Sequence, residues 1–130
     1  MDTGNQQARM EMMKAKVEPW YQSLANPIKA QEIVLERLLK SYSQTEYGRS
    51  HSCENVDSYA NFQKAFPVCT FADFKPFIDQ VMAGNTHALL SEEPVAIAFT
   101  KGTTGQPKLF PFTLTHANLV IEHAYRNRYN

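Results

Sequence analysis

A helical spacing of apolar residues marks the first half of the chain. Positions i, i+3, i+4 and i+7 of one stretch are apolar, which is the stripe of an amphipathic helix. Asn26 and Pro27 precede this stretch, and Asn caps helices while Pro suits the first helical position. The pattern therefore predicts a helix that follows Asn26. Its apolar stripe is formed by Leu35, Leu38, Leu39 and Tyr42.

The segments on either side of that helix are less regular. Residues Met10–Leu24 favour a helix by composition, and Pro19 predicts a kink or a restart within it. The preceding residues are polar, so we expect residues 1–12 to be disordered. Gly48 lies in the stretch TEYGRSH, which breaks the helical pattern, and it predicts the end of a helix or a turn of the chain.

Two further helices are predicted after this break. Residues Ser58–Ala65 suit a short helix, and Thr70 with Asp73 three residues later matches a capping box. Pro76 lies inside the second pattern, so that helix either kinks or begins at Pro76, and Gly84-Asn85 ends it. The side chains expected to point inward are Tyr59, Phe62, Phe66, Phe74, Phe77, Ile78 and Val81.

Short apolar runs near the end of the chain predict strands. Residues Pro94–Thr100 are rich in Val, Ile and Phe and are bounded by Pro and Gly, which favours a buried strand. Residues Lys108–Thr113 alternate well enough for a second strand, in which Pro111 indicates an edge or irregular position. Thr115 then predicts the cap of a helix that continues through Tyr125.

The order of these elements is helix first and one or two strands near the end. Two strands make a poor sheet on their own, so the sequence predicts the opening portion of a larger α/β domain. That portion is mainly helical and contains the first core strands of an incomplete sheet. We expect a helical layer over residues 13–93, a strand, glycine loop and strand over 94–114, and a helix over 115–130.

Charge and composition narrow the classes of function. Thirteen basic and thirteen acidic residues cancel, and no basic stripe indicates a nucleic-acid partner. The longest strictly apolar run, Val95–Phe99, is far shorter than the roughly 20 residues that span a bilayer, so no membrane partner is predicted. Cys53 and Cys69 form no C-x-x-C pair, which favours a reduced, cytoplasmic protein with two free thiols. A secreted protein with one disulfide is the alternative.

The stretch FTKGTTGQPK, at the end of the first predicted strand, carries the candidate chemistry. Glycines let backbone N–H groups approach an anion, threonine hydroxyls donate hydrogen bonds, and lysine supplies a point charge. The spacing fits neither the Walker signature nor the dinucleotide-binding signature. Spacing alone therefore leaves two interpretations open: a phosphate-binding loop, or a hairpin turn with incidental polar residues.

Residues 100–108, TKGTTGQPK, resemble the first nucleotide-binding motif of the acyl-adenylate-forming superfamily, which includes acyl-CoA synthetases, firefly luciferase and peptide-synthetase adenylation domains. Three neighbouring stretches resemble the auxin-responsive Gretchen Hagen family of acid–amino acid ligases. They are TEYGR at 45–49, FQKAFPVCTFADFKPFIDQVMAG at 62–84 and KLFPFT at 108–113. The similarity runs from about Gln31 to Thr115 and implies the N-terminal portion of a luciferase-like adenylating domain.

This resemblance implies a two-step reaction that uses ATP and Mg²⁺. A carboxylic acid is activated as acyl-AMP, and an amine such as an amino acid then displaces AMP to form an amide. Adenylyl transfer mostly needs positioning and charge neutralisation, and no catalytic residue is assigned. The resemblance implies that the triphosphate is gripped by Thr100, Gly102, Thr103, Thr104, Gly105 and Lys108.

Two departures from the family pattern affect this interpretation. Lys101 occupies a position where the family usually has Ser or Thr, and the given sequence stops shortly after the first motif. We therefore expect the isolated chain to be inactive and catalysis to belong to a longer protein. Two alternatives stay open: a non-catalytic helical interaction module or truncated paralogue, and a fragment of an acyl-CoA synthetase.

Other polar and aromatic residues have structural interpretations. His51 and Cys53 are possible metal ligands, but zinc needs more ligands than these two, so a structural role is favoured and no metal site is predicted. One set of aromatic residues could line an acyl pocket, although helical spacing favours core packing. The set is Trp20, Tyr21, Phe62, Phe66, Phe74 and Phe77.

Overall fold

The computed structural model describes residues 3–101, 105 and 107–129. Its contacts divide the chain into two units, one formed by Met1–Gln31 with Thr115–Asn130 and the other by Glu32–Leu114. The helices are α1 (Thr3–Ala25), α2 (Pro27–Tyr42), α3 (Glu46–Ser50), α4 (Tyr59–Ala65), α5 (Phe71–Met82) and α6 (Leu114–Tyr129). The strands are β1 (Pro94–Phe99) and β2 (Leu109–Thr113). Mostly helical structure with two strands confirms the predicted fold class, whereas the proposed division into segments stays a prediction.

The first unit contains α1 and α6. α1 starts at Thr3, while the expected disorder over residues 1–12 stays a prediction. Its first turns contain Gln, Ala, Arg and Met, which are good helix formers, and residues 4–10 are exposed. α1 also continues through Pro19. α6 begins at Leu114, so Thr115 lies in its first turn and does not precede the helix as predicted.

Side chains from α1 and α6 meet within this unit. Val17 is almost completely buried, with 1% of its surface exposed. The guanidinium of Arg126 lies 6.0 Å from the ring centre of Trp20, and the ammonium of Lys16 lies 5.1 Å from that of Tyr125. Arg126 also pairs with Glu122 one turn earlier on α6. The long stems of basic side chains therefore contribute to packing in this unit.

α2 follows the predicted start signal. The Asn26 side chain accepts a hydrogen bond from the Lys29 N–H at 3.1 Å, which confirms the cap. On the predicted stripe, Leu35, Leu39 and Tyr42 are half-buried, but Leu38 remains exposed.

α3 packs closely against the end of α2 because residue 48 has no side chain. A Cβ built on Gly48 would lie 2.0 Å from the carbonyl oxygen of Tyr42. The Thr45 hydroxyl accepts from the Gly48 N–H and donates to the Tyr42 carbonyl, both at 2.9 Å. The prediction that Gly48 ends a helix is therefore wrong, since it lies inside α3, where its role is steric.

The core of the second unit is an aromatic cluster around Tyr47. The Tyr47 ring lies 5.2 Å from Phe74, 5.3 Å from Phe77 and 6.0 Å from Phe66, between ring centres. These distances suit tilted and edge-to-face aromatic packing. Burial raises the pKa of Tyr47 to about 12, with a hydrogen bond to Cys69 as the next cause. Phe74 and Phe77 of α5 therefore serve as core, as predicted.

The two helices predicted after Gly48 are present as α4 and α5, with some differences in detail. Ser58 caps α4 by accepting from the Asn61 N–H, but Tyr59 is wrongly predicted to point inward and is 66% exposed. A first-turn residue of a seven-residue helix can face solvent while its partners pack, because the apolar pattern does not specify which turn is covered. α5 begins before Pro76 and runs through it. It ends at Met82, and Gly84 two residues further on adopts a φ of 99°.

The two strands form an antiparallel hairpin. Ile97 lies opposite Pro111, and Phe99 lies opposite Leu109. The prediction that β1 is buried is wrong, since Val95 is 61% exposed and Phe99 is 72% exposed. In the described part of the chain β1 pairs only with β2, and a two-stranded ribbon cannot remove both of its faces from water. Pro111 on β2 fits the expected edge position.

Replacing Gly48 with Ala tests the close packing of α3 on α2. We expect a loss of about 3 kcal/mol or more in the free energy of unfolding, because the new methyl group meets main-chain atoms that cannot rotate away. Urea denaturation measures this loss. Gly105→Ala is the matched control, since among the described residues no heavy atom beyond its chain neighbours lies within 4 Å of its added Cβ, and its effect should stay within about 0.5 kcal/mol. Equal effects of the two substitutions would contradict the steric role.

Candidate functional site

The candidate site is the connection between β1 and β2. Thr100 directly follows β1, and Lys108 directly precedes β2. Gly105 is exposed within the connection. Gly102, Thr103 and Thr104 lie outside the described residues, so their predicted roles stay predictions. The structure thus describes three of the six predicted phosphate-binding positions.

Two hydrogen bonds join Thr100 to Lys108. The Thr100 N–H donates to the Lys108 carbonyl at 3.0 Å, and the Lys108 N–H donates to the Thr100 hydroxyl oxygen at 3.1 Å. The first bond extends the strand ladder by one residue beyond Phe99 and Leu109. The Thr100 hydroxyl accepts here, and a hydroxyl that accepts still has a proton to donate. The ends of the loop are therefore held together by residues of the motif itself.

The Lys108 side chain lies over an aromatic ring from another element. Its Nζ is 5.1 Å from the ring centre of Phe71, which is the first residue of α5. The Phe71 ring in turn lies 5.6 Å from the ring of Phe110 on β2. Local sequence patterns did not indicate Phe71 as a site residue, because its contact with Lys108 joins segments far apart in the chain.

The N-terminus of α5, next to Phe71, already has an anionic partner. The Asp73 carboxylate accepts from the Thr70 N–H and from the Thr70 hydroxyl, both at 2.7 Å, which confirms its part in the predicted capping box. These hydrogen bonds hold the pKa of Asp73 below its ordinary value, with the backbone donor as the larger cause. The chain's own carboxylate therefore compensates the positive end of this helix. The ammonium that lies beside Phe71 belongs to Lys108, the residue before β2.

His51 and Cys53 have local structural contacts. The His51 ring stacks on Phe66 with centres 5.1 Å apart, and its Nδ1 lies 2.8 Å from the Tyr47 carbonyl oxygen, which can only accept. Cys53 is buried, and burial raises the pKa of its thiol. Across residues 3–101, 105 and 107–129, no group of three or more His, Cys, Asp or Glu could hold a metal ion. The same residues contain no helix that is long and apolar enough to cross a membrane.

Comparison with known proteins agrees with the family resemblance. A family model described as the GH3 family N-terminal domain matches residues 17–129. Indole-3-acetic acid-amido synthetase GH3.15 of Arabidopsis thaliana is 38% identical over 85 residues, which cover 64% of this chain and 14% of that protein. Indole-3-acetic acid-amido synthetase GH3.10 of the same plant is 31% identical over 125 residues, or 85% of this chain and 21% of that protein.

A third relative is named for a jasmonoyl group instead of indole-3-acetic acid. Jasmonoyl–L-amino acid synthetase GH3.5 of Oryza sativa subsp. japonica is 27% identical over 107 residues, which cover 77% of this chain and 18% of that protein. No solved structure shows significant similarity. The matched regions span between 14% and 21% of these relatives, two of which are amido synthetases by name and one a jasmonoyl–L-amino acid synthetase.

The pH dependence of stability tests the Asp73 cap. Because the folded pKa is depressed, the contribution of the carboxylate is present above the ordinary carboxyl pKa and is lost as pH falls through the folded pKa. We expect the difference in unfolding free energy between the wild type and Asp73→Asn to be constant above about pH 5 and to shrink as pH falls below the ordinary carboxyl pKa of about 3.9. Urea denaturation across this range measures it.

A matched variant separates the two donors to Asp73. Thr70→Val removes the hydroxyl but keeps the backbone N–H, so the Asp73 pKa should rise only part of the way to its ordinary value. Carboxyl-carbon NMR titration measures this pKa. An Asp73 pKa that is ordinary in the wild type would contradict the capping geometry.

Proposed function

Since this chain belongs to the GH3 family, we propose that it forms the phosphate-binding N-terminal part of an ATP-dependent acid–amino acid amide ligase. Its relatives by name make amides of indole-3-acetic acid or jasmonoyl–amino acid conjugates. The chain corresponds to the family's N-terminal domain. The proposed substrates are therefore ATP, a carboxylic acid and an amine such as an amino acid.

The proposed reaction has two steps. A carboxylate oxygen attacks the α-phosphorus of ATP, the bond to the bridging oxygen breaks, and pyrophosphate leaves with acyl-AMP formed. The amine nitrogen then attacks the acyl carbon, AMP leaves with the electron pair of the broken C–O bond, and the amine loses a proton. Neither step needs a nucleophile from this chain. Its proposed contribution is to position the triphosphate and to balance its charge.

The observation that carries this proposal is the pair of hydrogen bonds between Thr100 and Lys108. They bring a hydroxyl and a cationic side chain to the two ends of one glycine-containing loop. Phosphate oxygens accept from such donors, and backbone N–H groups of a loop add to them. The proposed phosphate-binding set is Thr100, Gly102, Thr103, Thr104, Gly105 and Lys108.

The donor set also fits a metal that arrives with the nucleotide. Mg²⁺ is usually held by one or two protein oxygens together with substrate phosphates, so it does not require a carboxylate cluster in this loop. When bound, Mg²⁺ would neutralise part of the phosphate charge. The threonine hydroxyls of the loop, Thr100 among them, are the protein oxygens that would be available to such a complex.

Lys101 is the loop residue that departs from the usual form of the motif. Lys101 adds a second exposed cation where relatives of this motif usually carry a small hydroxyl residue. Its charge favours a triphosphate, while its length crowds the loop.

A cytoplasmic location is also proposed, on the basis of two free thiols, which a reducing compartment maintains.

An interaction module is the second candidate, and the exposed sheet favours it. Val95, Ile97 and Phe99 alternate along β1 and are all exposed. Such an apolar row favours association with other protein surfaces. Binding of ATP·Mg²⁺ to the loop is the property that separates the two candidates.

Titration with ATP·Mg²⁺ tests the phosphate-binding role. We expect amide NMR shifts at residues 100–108 in the wild type and roughly tenfold weaker binding in Lys108→Met, because one charge-assisted contact is lost. Calorimetry supplies the dissociation constants. Lys101→Ser restores the usual residue of the motif and serves as the comparison. The proposal fails if neither the wild type nor Lys101→Ser responds to the nucleotide.

The isolated chain should not catalyse adenylation. It matches 14% to 21% of its relatives' length, so we expect no ATP–pyrophosphate exchange above background with indole-3-acetic acid as the test acid. Exchange of radiolabelled pyrophosphate into ATP is the measurement. Exchange that depends on Lys108 would contradict the assignment of catalysis to a longer protein.

A further inference from the structure

Phe71 lies outside the glycine loop, yet its ring faces the loop's cation. Resting on the function proposed above, we propose that Phe71 is a positioning residue that holds the Lys108 ammonium beside the loop for phosphate. The contact joins the first residue of α5 to the residue preceding β2. Neither residue is close to the other in sequence, so the tertiary fold creates the pair.

The geometry suits a cation–π contact. The Lys108 Nζ is 5.1 Å from the Phe71 ring centre, inside the roughly 6 Å range over which an aromatic face attracts an ammonium. A lysine side chain is flexible and loses considerable rotamer entropy when it is fixed. A platform that restricts the ammonium before phosphate binds lowers the entropy lost at binding.

The platform is itself held on two sides. The Phe71 ring packs on Phe110 at 5.6 Å between centres, with the planes tilted by 55°. The backbone just before Phe71 is fixed by the Thr70 N–H bond to Asp73. The main chain of Lys108 is fixed by Thr100. Both ends of the Lys108 side chain are therefore constrained by groups that do not need the nucleotide.

A neutral platform also leaves the charge of Lys108 available. The described residues include ion pairs between Lys75 and Asp79 and between Arg126 and Glu122, and Lys108 takes part in neither. A carboxylate partner would neutralise the ammonium and compete with phosphate for it, whereas an aromatic face attracts the cation without cancelling its charge. An aromatic residue at position 71 is therefore better suited than an acidic one to a lysine that must bind an anion.

NMR of the nucleotide-free chain tests the contact directly. In the wild type we expect the Lys108 Hε protons to be shifted upfield by the Phe71 ring current. Phe71→Leu keeps an apolar side chain and should abolish the shift, whereas Phe71→Tyr keeps the ring and should retain it. Lys101, at the other end of the loop, is the internal control and should be unchanged in both variants. A wild-type Lys108 without an upfield shift overturns the proposal, even if Phe71→Leu does not fold.

Binding of ATP·Mg²⁺ then tests the consequence. We expect Phe71→Leu to weaken binding about two- to fivefold, the fold-change that corresponds to an exposed cation–π contact, and Phe71→Tyr to restore it. Phe71→Leu should add no further loss in a Lys108→Met background. An equal loss in that background would assign Phe71 a purely structural role and overturn the proposal. If the wild type does not bind the nucleotide at all, the proposed function fails, and the ring-current result still decides whether Phe71 holds Lys108.

Discussion

The close approach of α3 to the end of α2 is the constraint on which the second unit depends. It requires a residue without a side chain at position 48, since any Cβ there would collide with the main chain of Tyr42. The neighbouring Thr45 is almost completely buried and uses its hydroxyl both as donor and as acceptor across the same junction. A junction that combines steric contact and satisfied polar groups admits little adjustment.

This junction directs Tyr47 into the aromatic cluster, and the cluster in turn orients α5. Phe74 and Phe77 contact Tyr47, while Phe71 at the start of the same helix contacts Phe110 on β2. The segment between α5 and β1 is fixed by the buried Thr86, whose hydroxyl donates to the Glu93 carboxylate at 2.7 Å. α5 therefore links the core of this unit to the hairpin that carries the candidate site.

The charged side chains that the structure describes on α5 have partners other than Lys108. Asp73 is occupied by the donors of Thr70, and Lys75 is paired with Asp79 one turn later. Lys108 lies on an aromatic face, where its charge persists. This separation supports the anionic ligand proposed for the loop.

Local signals in the sequence determined several helix boundaries, including the Asn26 cap, the Thr70–Asp73 pair and the turn at Gly84. They also determined the order of helix and strand, because caps and periodicity depend on residues three or four positions apart. The family motif, read from the sequence, located the loop. Only the tertiary structure decided that Gly48 is a contact point inside a helix, that β1 remains exposed and that Phe71 lies under Lys108. Each of these depends on which distant segment packs against a residue, and that information is not contained in local spacing.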